Sequence, residues 1–239
     1  MLTGMTNAYD EPEGIAPRGT VVVAAGRGES TGAYRRFGRR IAADGYRVRV
    51  LPDVAADPAA SFAAVAKLLG DETLPRPRVL VGADAGALFA RTLAGSATDG
   101  LDAVILAGVP TGSFPEVTPE DELEARTGCP THRGVLSGGA LTPGALSAAP
   151  IPTEFIGEIG EVTIPTLGLH GDADPVSPLA GAWAEYPGTV VTVAGGRHDI
   201  LNDVTHRTVA ATVVLFLERL RLGADLPVIA QELQRQVSP

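Results

Sequence analysis

The chain has 239 residues, 45% hydrophobic and 5% aromatic, with one cysteine and a net charge of −9. That length suits one domain with a substantial core. The charge disfavours nonspecific nucleic-acid binding, which needs clustered Lys and Arg against phosphates, and a single Cys129 excludes an intrachain disulfide.

The N-terminal stretch contains Asp10, Glu11 and Glu13 and no apolar run, so it does not read as a secretory signal. No stretch has the length and apolarity of a transmembrane span. The expectation is a cytoplasmic protein with a small-molecule substrate and neither a membrane nor a nucleic-acid partner.

Strand and helix patterns alternate along the chain. Val21–Ala25 is a continuous apolar run, as in a strand buried on both faces. Tyr34–Asp44 has Phe37 and Ile41 at helical spacing, and Gly45 suits a C-terminal cap. Tyr46–Leu51 reads as a strand and Ala59–Leu69 as a helix. Val79–Val81 is a strand that leads into Gly82-Ala83-Asp84-Ala85-Gly86, and Ala85–Ala94 is the helix behind it. Leu101–Ala107, Ile164–Leu169 and Thr189–Val193 are further strands, and Leu201–Leu222 is a long amphipathic helix. This rhythm implies an α/β fold with a mainly parallel, doubly wound sheet. Ligands of such sheets sit at the carboxyl ends of the strands.

Residues 110–161 break the rhythm with several prolines and glycines and an acidic stretch, Glu120-Asp121-Glu122. A loop this long inside a compact domain is usually functional or mobile. It reads as a short lid inserted in a single domain that spans residues 1–239. In the tail, Gly223–Pro239, a short helix is expected around Ile229–Gln234, for local packing or for self-association into a homo-oligomer.

Three segments carry chemistry. Gly82-Ala83-Asp84-Ala85-Gly86 has the layout of a nucleophile elbow, with a carboxylate where Ser is usual. It also suits an ordinary βα turn with Asp84 capping the helix. His170-Gly171-Asp172-Ala173-Asp174-Pro175 is an acidic turn after a strand, and Gly196-Arg197-His198-Asp199 is a His-bearing loop after the next. Their order is nucleophile, acid, histidine.

On these three motifs the chain resembles the α/β-hydrolase superfamily over roughly residues 18–222. The resemblance implies a triad of Asp84, His198 and Asp174, the last preferred over Asp172. It also implies an oxyanion hole from the backbone amides of Arg27 and Ala85, with the Arg27 side chain adding positive charge. The alternative for Arg27 is a plain turn in which it pairs with Glu29 in solvent. In the lid, Arg126, Cys129, His132 and Arg133 are close in sequence. Arg126, His132 and Arg133 are substrate-binding candidates there, or surface charges on a structured loop.

A carboxylate at the elbow suits displacement at an sp³ carbon, giving an alkyl-enzyme ester. Water activated by His198 would hydrolyse that ester. The superfamily's dehalogenases and epoxide hydrolases share this logic. Here, however, Ala85 follows the nucleophile where dehalogenases usually have Trp, and residues 110–161 contain no tyrosine for protonating an epoxide. The Gly195–Asn202 stretch looks more like the lysophospholipase and monoacylglycerol-lipase branch. The expected function is cofactor-free hydrolysis of a small, largely apolar molecule. The alternatives are a lyase or isomerase with Asp84 as base, or a non-catalytic binding protein on the same fold. No Cys/His group has zinc spacing and no nucleotide-binding loop is present, so no metal or cofactor is expected.

Overall fold

Val21, Val22 and Val23 are all fully buried because their strand lies inside a sheet covered on both faces. The computed structural model describes residues 6–111 and 118–231. Its sheet has seven strands: β1 (Asn7–Tyr9), β2 (Gly19–Ala24), β3 (Tyr46–Leu51), β4 (Arg78–Ala83), β5 (Ala103–Ala107), β6 (Thr166–Gly171) and β7 (Thr189–Val193). The spatial order is β1-β3-β2-β4-β5-β6-β7. All pairings are parallel except β1 with β3.

Helices α1 (Arg35–Ala43), α2 (Pro58–Leu69) and α3 (Ala85–Gly95) connect the first parallel strands. Successive strand residues point to opposite faces, and the core divides accordingly. Val21, Val23, Val79 and Val81 pack with Phe37 and Ile41 of α1 and with Val213 and Phe216 of the last helix. Val22, Ala24, Leu80 and Val104 pack with Val65 of α2 and with Leu88 and Phe89 of α3. The fold is therefore doubly wound.

Between β5 and β6 the described residues form four short α-helices, α4 (Pro119–Arg126), α5 (Pro130–Val135), α6 (Ala145–Ala148) and α7 (Thr153–Ile156), and a π-helical turn at Leu136–Ala140. The start of α4 follows from its sequence. Thr118 Oγ1 accepts from the Asp121 amide at 3.1 Å, and Glu120, Asp121 and Glu122 sit at the positive end of the helix. Then come α8 (Leu179–Ala182) and α9 (His206–Leu222).

Two expectations need correction, and one strand was not expected at all. Strand β1 gave no sequence signal, because three residues are too few to show alternation. The last helix starts at His206, not Leu201. Asp203 accepts from Thr127 Oγ1 at 2.8 Å, from the Gly128 amide at 2.7 Å and from the Arg197 amide at 2.8 Å. Those bonds hold the preceding residues in turns instead of helix. In the tail, Ile229, Ala230 and Gln231 are not helical, and the rest of the expected helix lies outside the described residues.

Candidate active site

Asp84 sits between β4 and α3 with φ +49° and ψ −125°. A non-glycine residue with positive φ is uncommon and strained, though Asp tolerates it better than most. The sharp turn needs close backbone approach on both sides. A Cβ at Gly82 would lie 1.9 Å from the Gly86 carbonyl oxygen, and one at Gly86 would lie 2.3 Å from that of Ala24. Only glycine fits either position. The Asp84 side chain makes no capping bond to α3, so it is not an ordinary helix cap. It points to the carboxyl end of the sheet, where the other motif residues converge.

His198 lies between two carboxylates. Its Nδ1 is 2.8 Å from Asp174 Oδ2, and its Nε2 is 3.3 Å from Asp84 Oδ1. Asp174 is itself fixed, because its Oδ1 accepts from the amides of Val176 at 2.8 Å and Ser177 at 3.0 Å. All three residues are at most 4% exposed. Burial alone would lower the His198 pKa, but the charge and hydrogen bond of Asp174, aided by Asp84, reverse this and raise it to about 10. At neutral pH His198 is therefore an imidazolium.

Arg27 clamps Asp84. Its Nη2 donates to Asp84 Oδ1 at 2.6 Å, its Nε to Oδ2 at 2.8 Å, and its backbone amide to Oδ2 at 2.9 Å. This is a bidentate pair of buried groups, 1% and 2% exposed. Arg27 Nη1 donates to the carbonyl of Leu146, in the segment between β5 and β6, at 3.2 Å. Burial pushes the Asp84 pKa up, but the Arg27 charge and hydrogen bonds outweigh it, with help from His198. The carboxyl ends well below its usual range. The pairing with Glu29 in solvent does not occur. The Arg27 amide, expected as an oxyanion-hole donor, is engaged by the elbow carboxylate itself. Ala85, the other expected donor, is the fully buried first residue of α3.

The three residues between β5 and β6 expected to contact substrate have these partners within the protein. Arg126 is fully buried; it donates to the Arg27 carbonyl at 2.7 Å and to Glu122 Oε1 at 3.1 Å, and it lies 3.4 Å from Asp199. Its donors hold the Arg27 loop against α4. His132 Nε2 is 3.3 Å from Asp199 Oδ2. Arg133 Nε donates to the Thr127 carbonyl at 2.8 Å. These are the partners the structure shows for the three residues.

Sequence reasoning missed the carboxylates beneath the site. Glu29 accepts from Tyr34 and from the Gly26 amide, and Glu122 accepts from the amides of Gly144 and Leu146. Each comes from a different segment, so no spacing in the chain announces them. Glu29, His132 and Asp199 bring ligand-competent atoms within 4.8 Å of one another. The Arg126 guanidinium, 3.6 Å from Glu29 and 3.4 Å from Asp199, already supplies the positive charge a metal ion would bring. The group reads better as an ion-pair network than as a metal site.

The sequence matches no protein-family model and no curated protein. Its three-dimensional structure is similar to several solved ones. A monoacylglycerol lipase from Paleococcus ferrophilus aligns at TM-score 0.67 and 17% identity, covering 87% of this chain and 97% of the lipase. A meta-cleavage product hydrolase from Pseudomonas fluorescens aligns at TM-score 0.65 and 18% identity, covering 90% and 94%. An esterase from a Rhodococcus species aligns at TM-score 0.65 and 19% identity, covering 90% and 99%. Together with the mainly parallel sheet and the strained turn at Asp84, these likenesses show that the chain has the α/β-hydrolase fold.

Proposed function

We propose that the protein is a hydrolase that uses Asp84 as a nucleophile toward an electrophilic sp³ carbon of a small, largely apolar molecule. The observation that carries this reading is the placement of an ionised carboxylate at the elbow, in contact with His198. Asp84 attacks without giving up a proton, forming a carbon–oxygen bond while the leaving group departs with its electron pair. The product is an alkyl ester of Asp84. The pair with Arg27 is thereby broken, and its Nε and Nη2 donors turn to the departing anion. This supplies the leaving-group stabilisation for which neither a tryptophan beside the nucleophile nor a lid tyrosine is available in the sequence.

Ester formation also changes His198. Its raised pKa depends on two carboxylates. Once Asp84 is a neutral ester, only Asp174 remains, so the pKa falls and the imidazole gives its proton to the departing group or to solvent. Neutral His198 then takes a proton from water, which attacks the ester carbonyl carbon. The alcohol leaves with the proton His198 took from water, the remaining acid proton passes to His198, and Arg27 pairs again with the restored Asp84 carboxylate. Arg27 and Asp84 are both almost fully buried, so substrate access requires the lid segment around Leu146 to shift with the guanidinium.

A base role for Asp84 in elimination or isomerisation is less well supported, because a carboxyl held so acidic is a weak base. A binding protein is the second reading. The clamp favours it, since Arg27 occupies both oxygens of Asp84.

The test is a single turnover in ¹⁸O-water, after a screen of alkyl halides, epoxides and esters has found a compound that is consumed. In this mechanism the first product oxygen comes from Asp84 and the label enters the Asp84 carboxylate. Unlabelled Asp84 after turnover overturns the nucleophile. An empty screen favours the binding protein.

A further inference from the structure

Helix α1 opens with a dense run of positive charge: Arg35, Arg36, Arg39 and Arg40 lie within six consecutive residues. Three of these, Arg35, Arg36 and Arg39, line a pocket of about 310 Å³ together with Thr131 and His132 of the lid helix α5. That volume is at the small end of ligand sites, enough for a compact polar group. The pocket belongs to α1 and α5, and neither Asp84 nor Arg27 is among its lining residues.

The charge in this pocket is not compensated. Among the described residues, no carboxylate forms an ion pair with Arg35, Arg36 or Arg39. This is notable in a chain with 28 acidic residues against 19 basic ones. Asp199, which holds His132 of the pocket wall, is also paired with Arg126. The surrounding field agrees. His206, at the start of α9, has a lowered pKa, first through burial and then through the charges of Arg36, Arg207, Arg40 and His132.

The pocket is also ordered in advance. Arg36 is anchored by Cys129 Sγ at 3.5 Å and by the Asn202 carbonyl. His132 is 2% exposed and held by Asp199. Arg35 and Arg39 stand one helical turn apart and exposed, so their guanidinium groups reach the same volume from one helix face. Three planar cations with fork-like donors exceed what one carboxylate can satisfy. They match the charge and the several acceptor oxygens of a phosphate group.

We propose that the pocket between α1 and α5 binds the phosphate group of a small phosphorylated ligand, with Arg35 and Arg39 as its principal contacts and Arg36 and Thr131 as further donors. The ligand is small because the site is concave and the protein as a whole is acidic, which repels extended polyanions. The inference stands whether or not Asp84 is a nucleophile.

The experiment is calorimetric titration of the full-length protein, at physiological salt, with inorganic phosphate, pyrophosphate, succinate and a single-stranded RNA. We expect saturable one-to-one binding of pyrophosphate or phosphate. It should weaken about tenfold or more in Arg35→Gln/Arg39→Gln. It should change less than about twofold in Arg76→Gln/Arg221→Gln, which removes the same charge from distant surfaces. Both sites are exposed in each variant, so folding is not at stake. Four results would overturn the proposal: no saturable phosphate or pyrophosphate binding in the millimolar range, equal weakening in both variants, equal affinity for succinate, or binding of RNA alone.

Discussion

Arg27 and Asp84 form a bidentate ion pair, 2.6 and 2.8 Å, inside a site where each is almost completely buried. The pair holds the elbow carboxylate ionised and also covers it. Removing one partner leaves an uncompensated buried charge, which typically costs about 3–5 kcal/mol. Arg27→Met should therefore destabilise the protein by that order. The Asp84→Asn/Arg27→Met double variant should lose less than the sum of the single variants. Urea unfolding of all four proteins measures the coupling. Additive losses would show that the pair contributes no net interaction.

Asp84→Asn should abolish turnover while the protein stays folded. The amide is nearly isosteric with the carboxylate but is neither a nucleophile nor a base. The same variant should lower the His198 pKa from about 10 toward the usual histidine value, because one of its two carboxylate neighbours is gone. Titration of the imidazole resonances by NMR reads this directly. An unchanged pKa would mean that Asp174 alone sets it, and that ester formation cannot switch His198 into a base.

The order of the three motif residues was legible in the sequence because each follows an apolar run that forms a parallel strand. Asp84, Asp174 and His198 follow β4, β6 and β7, and a parallel sheet brings such positions to one end. The clamp was not legible. Arg27 lies 57 residues before Asp84, and its turn reads equally well as a solvated loop. The role of Arg126 was hidden for the same reason. Its burial depends on Glu122 one turn earlier, on Glu29 and on Asp199, which come together only in three dimensions. Strand β1 was too short to show a pattern.

Glu29 makes stability depend on pH. Burial first, and the charge of Asp199 second, raise its pKa from 4.5 to about 8. The folded state therefore favours the protonated acid. Its contribution is complete below pH 4.5 and is lost as pH rises toward 8. Glu29→Gln should flatten the stability profile across that window, so the variant gains relative to the parent as pH rises. Unfolding at about pH 5, 7 and 9 checks the sign. His198 adds a separate loss, complete only near pH 10, which should persist in the Glu29→Gln variant.

His198→Gln separates the two chemical steps. Attack by Asp84 needs no proton transfer, so the first step should proceed in this variant, while ester hydrolysis lacks its base. With a compound the parent turns over, rapid mixing should show one burst of released leaving group, close to one equivalent per active site, and then a stall. Mass spectrometry should find the substrate-derived alkyl group on the peptide that contains Asp84. Glutamine also keeps a polar group near Asp174, which limits structural damage. A base role for Asp84 predicts product without an adduct. A merely structural His198 predicts turnover at the parental rate. An inactive variant that retains the parent's circular dichroism spectrum and carries no adduct would count against the alkyl-enzyme ester, since the step that forms it does not call on the imidazole as a base.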